Sequence, residues 1–385
     1  MKKHDKPEKS GYDVRGEISS RMSMISKEPV NTGRQKEFDW AKSFTIIVML
    51  CIHVYEQLSE INVETCPDSV FRTIMEFLAG PLGAPLFMFS MGLGIIYSRS
   101  STPKKMVRRG LILLRNGYLL SFFKGTVPVL IGIMIGASVP ITIADSLFLI
   151  SILQFAGMAF LTIALMKKMK LPLYAMLIVS LVLSVAGTFL AKIDFTGSCI
   201  QYLLGLFFVT NDVTTFPLFL WLFYPVAGMI YAFMLQRVSD KKSFCRIVFA
   251  IGIAGTIIVS IIYKACGIDI RTMFMLKGRV FYNQTILHYI FTTFIIMIAM
   301  PVYYFLSEKI TNKYVTSSVA FLGKNLDVIY IVQWLVIAYT QAFMLAFDLP
   351  KIKTAMIIPT GIVMLLISAG ITGLWVIRKN WKKQK

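Results

Sequence analysis

A lysine and a histidine on the first apolar segment are the residues best placed to do chemistry on a molecule that enters a membrane. Lys42 and His53 are eleven residues apart. In a helix, that spacing puts them within roughly 20° of each other on one face and about 16 Å apart along the axis. An ionisable group inside a membrane is costly unless it has a partner or a function. A cation near the membrane boundary and an imidazole roughly halfway across suit a path for something that crosses the bilayer; the alternative is that His53 only joins helices by hydrogen bonds.

The composition predicts the fold class. The chain has 385 residues, of which 56% are hydrophobic, and a mean hydropathy of +0.68, which is too apolar for a soluble domain. We predict an all-α integral membrane protein of ten transmembrane helices, an even number that places both termini in the cytoplasm. The predicted spans are residues 42–58, 82–98, 111–136, 145–166, 172–191, 215–235, 246–264, 285–306, 325–346 and 355–377.

Polar segments flank the predicted membrane domain. Residues 1–33 are rich in Lys, Ser and Glu and lack an apolar run, which predicts a disordered basic cytoplasmic arm. Residues 34–377 form the membrane domain, and residues 378–385 form a basic cytoplasmic tail. No cleavable signal peptide is expected, because the first apolar run starts near residue 43 after a charged stretch.

The net charge of +20 reflects membrane topology. The basic clusters recur at every second loop, which is the positive-inside pattern and argues against a surface for nucleic acid. Contact with anionic membrane lipids is the expected consequence. The five cysteines match no metal-site spacing, so no metal is expected. The basic clusters are residues 2–42, 99–115, 167–170, 237–246, 309–313 and 378–385.

Two loops that are predicted to lie outside differ in charge. Loop 59–81 is acidic on balance, whereas loop 265–284 contains Arg271 and Arg279 among its charged residues. Basic residues in an outer loop run against the positive-inside trend. Loop 265–284 is therefore the best outer candidate for contact with an anionic or sugar-like acceptor; the alternative is that its charges only solvate the loop.

Several polar residues within the apolar segments are candidates for a polar interior. Asp145 begins the fourth predicted helix, either as its N-cap or as a site residue. Gln154 follows nine residues later on roughly the opposite face, where a hydrogen bond between helices is the favoured interpretation. Arg115 and Lys124 interrupt the third span, which favours a water-filled cavity over lipid as their surroundings.

Five sequence blocks occur in an order that is typical of one family. The first is Arg34, Asp39 and Lys42, at spacings of five and three, followed by His53. The others are residues 83–92, Asp145 with 152–157, 216–228 and 322–334. Over about residues 34–340 they resemble the membrane acyltransferases of acyltransferase family 3 and the related heparan-alpha-glucosaminide N-acetyltransferase-like proteins. Lys42 stands where the family usually has Arg, and Gln333 stands where many relatives have a late His.

The resemblance implies transfer of an acyl group, usually acetyl, from cytoplasmic acyl-CoA to a sugar hydroxyl or amine across the membrane. His53 would be the base or a transient acyl carrier, Glu56 at i+3 would orient the imidazole, and Asp39 would complete the catalytic set. Gln154 or Gln333 would stabilise the oxyanion. The acceptor would be a cell-envelope or exported glycan or a lipid-linked sugar, which implies the bacterial cytoplasmic membrane. The cations expected to hold the CoA phosphates are Lys42, Arg34, Arg108, Arg109 and Arg115.

Two other functions are compatible with the sequence. A transporter or flippase for a sugar-linked or lipid-linked substrate would also be polytopic with a polar interior, but transporters often contain inverted repeats. The chain has no convincing internal repeat. A catalytically inactive relative that acts as a membrane scaffold would fit the replacements at Lys42 and Gln333, whereas the retained Asp39, His53 and Glu56 favour an active enzyme.

Overall fold

The computed structural model describes residues 25–98, 101–136, 139, 141–193, 195 and 199–384. Within these ranges the chain consists of α-helices joined by loops, with short 3-10 and π segments and only isolated β-bridges. The α-helices are α1 (Lys36–Leu58), α2 (Val70–Ala79), α3 (Ala84–Tyr97), α4 (Pro103–Ser121), α5 (Val127–Met134), α6 (Ile143–Leu147), α7 (Ile152–Lys168), α8 (Leu173–Leu190), α9 (Ile200–Leu204), α10 (Leu218–Trp221), α11 (Phe223–Arg237), α12 (Lys241–Ala265), α13 (Ile286–Lys309), α14 (Lys313–Lys324), α15 (Leu326–Ala346) and α16 (Ile357–Gln384).

Nine helical segments in the described ranges are long and apolar enough to cross a membrane. They coincide with nine of the predicted spans. The remaining span, predicted at 145–166, corresponds to α7, whose 17 residues extend about 26 Å, slightly less than the ~30 Å hydrocarbon layer. The predicted class, an all-α integral membrane protein, is confirmed.

The fourth predicted span begins later than the sequence suggested. Helix α7 starts behind Ser151, whose side chain and that of Gln154 form a capping box. The prediction that Asp145 caps this helix is wrong, because the Ser-x-x-Gln pattern is the stronger start signal. Asp145 lies inside the short helix α6, which Thr142 caps, and its carboxylate accepts a hydrogen bond from the Thr142 hydroxyl at 2.7 Å.

Helix α1 lies at the centre of the bundle. It packs against α3 and α13–α16, and Ala41, Ile46, Leu50, Val54 and Tyr55 along it are fully buried. A helix that is apolar and enclosed on several sides has little freedom to rotate or slide. Side chains on α1 are therefore held at fixed depths relative to the helices around them.

Small residues bring α3 and α11 into close contact. A Cβ atom at Gly92 would collide with the Pro225 carbonyl, and one at Gly228 would collide with the carbonyl of Phe89. Small residues at helix contacts allow backbones to approach closely in membranes. Gly92 and Gly228 thus allow the backbones of α3 and α11 to pack directly against each other.

The charged loops separate to opposite ends of the bundle, as the alternation of charge predicts. At one end Lys241, the first residue of α12, pairs with the buried Glu37 of α1 at 2.6 Å. At the same end Lys167 donates to a carbonyl in the loop before α4 at 3.4 Å. At the other end Glu64 accepts a hydrogen bond from the backbone N–H of Gly278 at 2.9 Å. The assignment of the basic end to the cytoplasm stays a prediction.

Part of the predicted N-terminal arm is ordered. The backbone N–H groups of Ser26 and Val30 donate to carbonyls at the end of α11, each at 2.7 Å, and the Asn31 side chain donates to the Leu235 carbonyl at 3.2 Å. For this stretch, the ordered chain begins before the predicted boundary at residue 34. Residues 1–24 of the arm and Lys385 of the tail lie outside the described residues.

Candidate active site

A cavity of about 660 Å³ lies at the basic end of the bundle, between α1, α3, α4, α7 and the start of α15. We call it the basic cavity, because charged groups dominate its polar lining. The predicted site residues Arg34, Asp39, Lys42 and Arg109 all line it. The charged residues lining it are Arg34, Lys42, Lys105, Arg109, Lys324, Asp39 and Asp327.

Both carboxylates of the basic cavity pair with an arginine. Arg34 donates to Asp39 at 2.6 Å and 2.9 Å, and Arg109 donates to Asp327 at 3.2 Å. Lys42 is half-buried and has no carboxylate within ion-pair distance in the described part of the chain. Five cations against two carboxylates give this lining a net charge of +3. Such a cavity attracts a polyanion and offers it unpaired lysines.

Helix α14 fixes the position of Asp39. Ser43 donates to the Val319 carbonyl at 2.8 Å, which joins α1 to α14. A Cβ atom at Gly323 would lie only 3.0–3.1 Å from the backbone and the carboxylate of Asp39. The absence of a side chain at Gly323 thus allows the two helices to meet beside the ion pair, and any larger residue would displace it.

The structure separates the three arginines that were predicted on α4. Arg109 lines the basic cavity, and Arg108 lines an adjoining cavity of about 360 Å³ that also includes Arg109 and Asp327. Arg115 is exposed, donates to the Asn116 side chain at 3.2 Å, and lines neither cavity. The geometry thus places Arg108 and Arg109, but not Arg115, where a polyanion would bind.

The ring of His53 lies against three residues of α15. Gln333 Nε2 is 3.4 Å from His53 Nδ1, and the Trp334 ring centroid is 4.0 Å from that of the imidazole, with 36° between the planes. The Tyr330 ring stands edge-on at 6.3 Å. Gln333 is fully buried, and its Oε1 atom has no hydrogen-bond partner among the described residues. The structure therefore brings together His53 and Gln333, which were predicted separately as site residues, and adds the aromatic rings of Tyr330 and Trp334 beside them.

A π-turn (Phe122–Thr126) between α4 and α5 places Lys124 against Trp334, one of the aromatic residues beside His53. Pro128 would clash with the carbonyl four residues earlier in a regular helix. The first N–H of α5 instead bonds to the carbonyl five residues earlier, which is the π pattern often found at functional sites. Lys124 Nζ lies 3.6 Å from the Trp334 ring centroid and has no hydrogen bond or ion pair with any other described residue.

The energetics of Lys124 do not explain its presence. A lysine in the middle of a membrane helix costs about 3 kcal/mol on insertion scales. A desolvated cation–π contact returns roughly 2 kcal/mol. A neutral side chain of similar length, such as methionine, would avoid the cost and fill the same space. Stability alone therefore does not favour a cation here.

Two aromatic rings separate the basic cavity from His53. Phe87 of α3 lines the cavity, and its ring centroid is 6.5 Å from that of Tyr330, which in turn contacts His53. The spacing along α1 puts the imidazole about 16 Å from Lys42 and roughly 8 Å from Leu58, the last residue of the helix. His53 is thus nearer the end opposite the basic cavity.

Glu56 lies close to that opposite end and does not pair with the imidazole. No hydrogen bond joins the Glu56 and His53 side chains in the described structure; the Glu56 carboxylate lies within electrostatic range of Glu64 and of Arg279 and Tyr282 in loop 265–284, and it forms no ion pair with a described residue. Burial lowers the pKa of Arg279, an effect that the nearby Tyr282 and Glu56 oppose. Burial raises the pKa of Tyr282, and Glu56 raises it further. Arg279 donates to the Thr214 carbonyl at 2.8 Å.

The other predicted substrate residues contact groups away from the basic cavity and from His53. Arg271 is exposed and pairs with Asp269 at 2.6 Å, which raises the pKa of Arg271. Asp145 lies in α6, as described above. Gln154 is fully buried and donates to Ser121 Oγ of α4 at 3.2 Å, so the predicted hydrogen bond between helices is present. Its amide is occupied by these contacts and by its capping role.

Five residues that line the basic cavity or lie around His53 were not predicted as site residues. Lys324 and Asp327 belong to the block 322–334, and Lys105 belongs to the basic cluster 99–115, so their segments were noted for other reasons. Lys124 was recognised only as a polar interruption. Trp334 ends the same block, but its place beside the imidazole gave no signal, because an aromatic residue in a membrane helix is ordinary until its neighbours are known.

The fold and these contacts define a polytopic membrane protein in which one central helix connects a basic cavity to a partly buried histidine. The model of acyltransferase family 3, described as an acyltransferase domain, matches residues 35–378. The chain belongs to this family and is a membrane acyltransferase. No curated protein and no solved structure gives a significant match to the chain.

Proposed function

We propose that the protein transfers an acyl group, acetyl by preference, from cytoplasmic acyl-CoA to a hydroxyl or amine of a cell-envelope or exported glycan. The bacterial cytoplasmic membrane is the corresponding location. The observation that carries the proposal is the connection, along α1, of a cavity of net charge +3 to His53. The kinship of the chain to the N-acetyltransferase-like branch is part of the same proposal.

The basic cavity suits the phosphates of CoA. Lys42 has no carboxylate partner there, and charge-assisted hydrogen bonds to phosphate are the strong ones. Lys42 replaces the arginine that is usual in the family, so it supplies charge without the planar fork of a guanidinium. Phosphates held at Lys42 leave about 16 Å for the rest of the donor to reach the imidazole.

His53 acts as the general base in this scheme. The acceptor oxygen or nitrogen attacks the thioester carbonyl carbon while its proton moves to the imidazole. The new bond to the acyl carbon forms, the C–S bond breaks, and the imidazole returns the proton to the CoA sulfur. Gln333, at 3.4 Å from Nδ1, limits rotation of the ring. Atoms and charge balance without a further reactant.

The acceptor approaches from the Glu56 end. Glu56, Arg279 and Tyr282 form a group of charged and aromatic side chains at that end, a combination that suits a sugar. Arg271, which is exposed and paired with Asp269, has a peripheral role in this scheme. Glu56 then serves the acceptor rather than orienting the imidazole.

The test uses inside-out membrane vesicles that contain native envelope glycans, with acetyl-CoA labelled in its acetyl group. Wild-type protein is compared with His53→Ala and with a matched control, His288→Gln. His288 is the other histidine of the membrane helices; it caps α13 by accepting from the Thr285 N–H at 3.2 Å, a role glutamine fills well at this position.

The proposal is supported if label enters the glycan fraction with wild type and with His288→Gln but not with His53→Ala. Label that stays on the protein indicates an acyl-histidine intermediate. Equal background for all three folded proteins refutes acetyl transfer, and other acyl-CoA donors are then compared in the same assay.

A further inference from the structure

Two buried polar atoms of α15 beside His53, Oε1 of Gln333 and Nε1 of Trp334, have no hydrogen-bond partner in the described structure. The Lys124 ammonium, on another helical segment, lies over the Trp334 ring and has no hydrogen bond or ion pair with any described residue. Buried polar groups are nearly always satisfied, so each exception calls for an explanation. All three groups lie around one imidazole. Their convergence indicates a space that another molecule completes.

We propose that Lys124 is a catalytic residue of this acyltransferase: it binds the carbonyl oxygen of the acyl group and stabilises the negative charge that develops there. The proposal rests on the proposed function, because it needs an acyl group beside His53. Its ligand is the thioester carbonyl, a neutral group that becomes an oxyanion during the reaction.

The path of the chain supports this role for Lys124. The π-turn inserts one residue between α4 and α5, which rotates the following side chains by about 100° relative to a regular helix. This is the turn that holds Lys124 against Trp334, and Trp334 is the residue that stacks on His53. A cation and a base therefore share one aromatic neighbour, which places both within reach of a single reacting group.

Among the described residues, Lys124 has no carboxylate partner, which also supports the proposal. In the basic cavity, by contrast, Arg34 pairs with Asp39 and Arg109 pairs with Asp327. A cation with a permanent carboxylate would already be neutralised and would gain little from an oxyanion. Lys124, held only by a ring face, keeps its three N–H donors available. Preorganised donors in a site without water are the main source of stabilisation in acyl transfer.

The step balances as follows. When the acceptor attacks, the electron pair of the carbonyl π bond moves to the oxygen, and the Lys124 ammonium donates a hydrogen bond to it. The imidazole of His53 holds the acceptor's proton. When the carbonyl re-forms, the C–S bond breaks, its electron pair goes to sulfur, and the proton follows from the imidazole. Lys124 remains protonated throughout.

The test compares wild type with Lys124→Met and Lys124→Arg in reconstituted vesicles, using acetyl-CoA and the acceptor fraction identified by labelling. The matched control is Lys379→Met. Lys379 forms another lysine–tryptophan contact, with Nζ 4.6 Å from the ring of Trp375, but lies exposed near the end of α16. Each variant is also assayed for CoA binding by calorimetry and for thermal unfolding.

We expect Lys124→Met to lower kcat by about 10²–10³-fold, the range seen when one oxyanion donor is removed. Its KM for acetyl-CoA and its affinity for CoA stay unchanged, because the phosphates bind elsewhere. Lys124→Arg recovers part of kcat, and Lys379→Met behaves as wild type. This split between kcat and KM is not expected of a side chain that only fills space.

If the wild type is active and folded Lys124→Met has an unchanged kcat, the catalytic role of Lys124 is overturned while the proposed function stands. An increase in KM or a loss of CoA affinity in Lys124→Met overturns it in favour of donor binding. If Lys124→Met fails to fold, Lys124→Arg decides, since full loss of kcat in a folded charge-retaining variant also contradicts the proposal. Wild type that transfers no acyl group overturns both the proposed function and this inference.

Discussion

Replacing Asp327 by asparagine should tighten CoA binding. Asp327 is one of two carboxylates in the basic cavity, and its partner Arg109 is held at 3.2 Å. Asp327→Asn raises the net charge of the lining from +3 to +4 and releases Arg109 for the donor. Loss of an ion pair in a binding site ordinarily weakens ligand binding. The sign of the change in CoA affinity therefore tests whether this cavity binds a polyanion.

The size of the effect follows from Coulomb's law. A unit charge about 8 Å from a phosphate charge contributes ~0.5 kcal/mol at a dielectric constant of 80 and ~2 kcal/mol at 20. The Asp327 side chain is 47% exposed, which favours the lower part of that range. We therefore expect a gain of roughly 0.5–1 kcal/mol, or a two- to fivefold lower Kd for CoA. Because the Debye length shrinks to about 3 Å in 1 M salt, the gain should vanish there.

The assay is calorimetric titration of CoA into purified protein at low and high salt. Asp348→Asn is the control: Asp348 is exposed beyond the opposite end of α15, and its positive φ of 49° also suits asparagine. Asp327→Asn should also lose roughly 0.3–1 kcal/mol of stability, because Asp327 lies in the first turn of α15, where the helix dipole favours an acid. Weaker CoA binding in Asp327→Asn at low salt would refute the reasoning and indicate that Asp327 positions Arg109 for the donor.

Three further substitutions test the surroundings of the site. Gln333→Leu removes the polar neighbour of the imidazole and should lower kcat by about tenfold, the equivalent of a hydrogen bond worth roughly 1.4 kcal/mol, in the vesicle assay. Gly323→Val should raise the Kd for CoA and cost roughly 1–3 kcal/mol of stability by pushing α14 away from Asp39, whereas Gly323→Ala should do less. Lys241→Met leaves Glu37 buried without a partner and should cost about 3–5 kcal/mol in detergent unfolding, and adding Glu37→Gln should restore most of it.

The sequence predicted the helices and one end of the site better than the contacts around His53. Span positions follow from hydropathy, which is a local property, so nine spans and α7 were located directly. The spacing of Lys42 and His53 was enough to put both on one face of α1. The identity of the α15 residues that meet this face depends on how two helices pack, which no local pattern reports. Trp334 was missed for that reason, and the partner of Glu56 was misjudged because i+3 proximity does not fix where a carboxylate points.

The π-turn marks a second limit of sequence reasoning. Lys124 was recognised as an anomaly, and a water-filled cavity was the expected explanation. Pro128 disfavours a regular helical turn before it, and Lys124 lies in the π-turn that replaces this turn, with its ammonium over the Trp334 ring. Hydropathy cannot distinguish an α-turn from a π-turn, so this contact had to come from the structure.

In the proposed reaction, the positions of the two ends of the site would allow acyl transfer across the membrane without movement of the glycan. The imidazole is about 16 Å from the lysine of the basic cavity but only about 8 Å from the far end of α1. Phe87 and Tyr330 lie between cavity and imidazole, so the acyl end of a donor must pass apolar rings that exclude water. In the proposed reaction, exclusion of water would protect the thioester from hydrolysis until an acceptor arrives from the Glu56 end. In the proposed reaction the donor therefore spans most of the distance, and the glycan needs only to reach the outer edge of the protein.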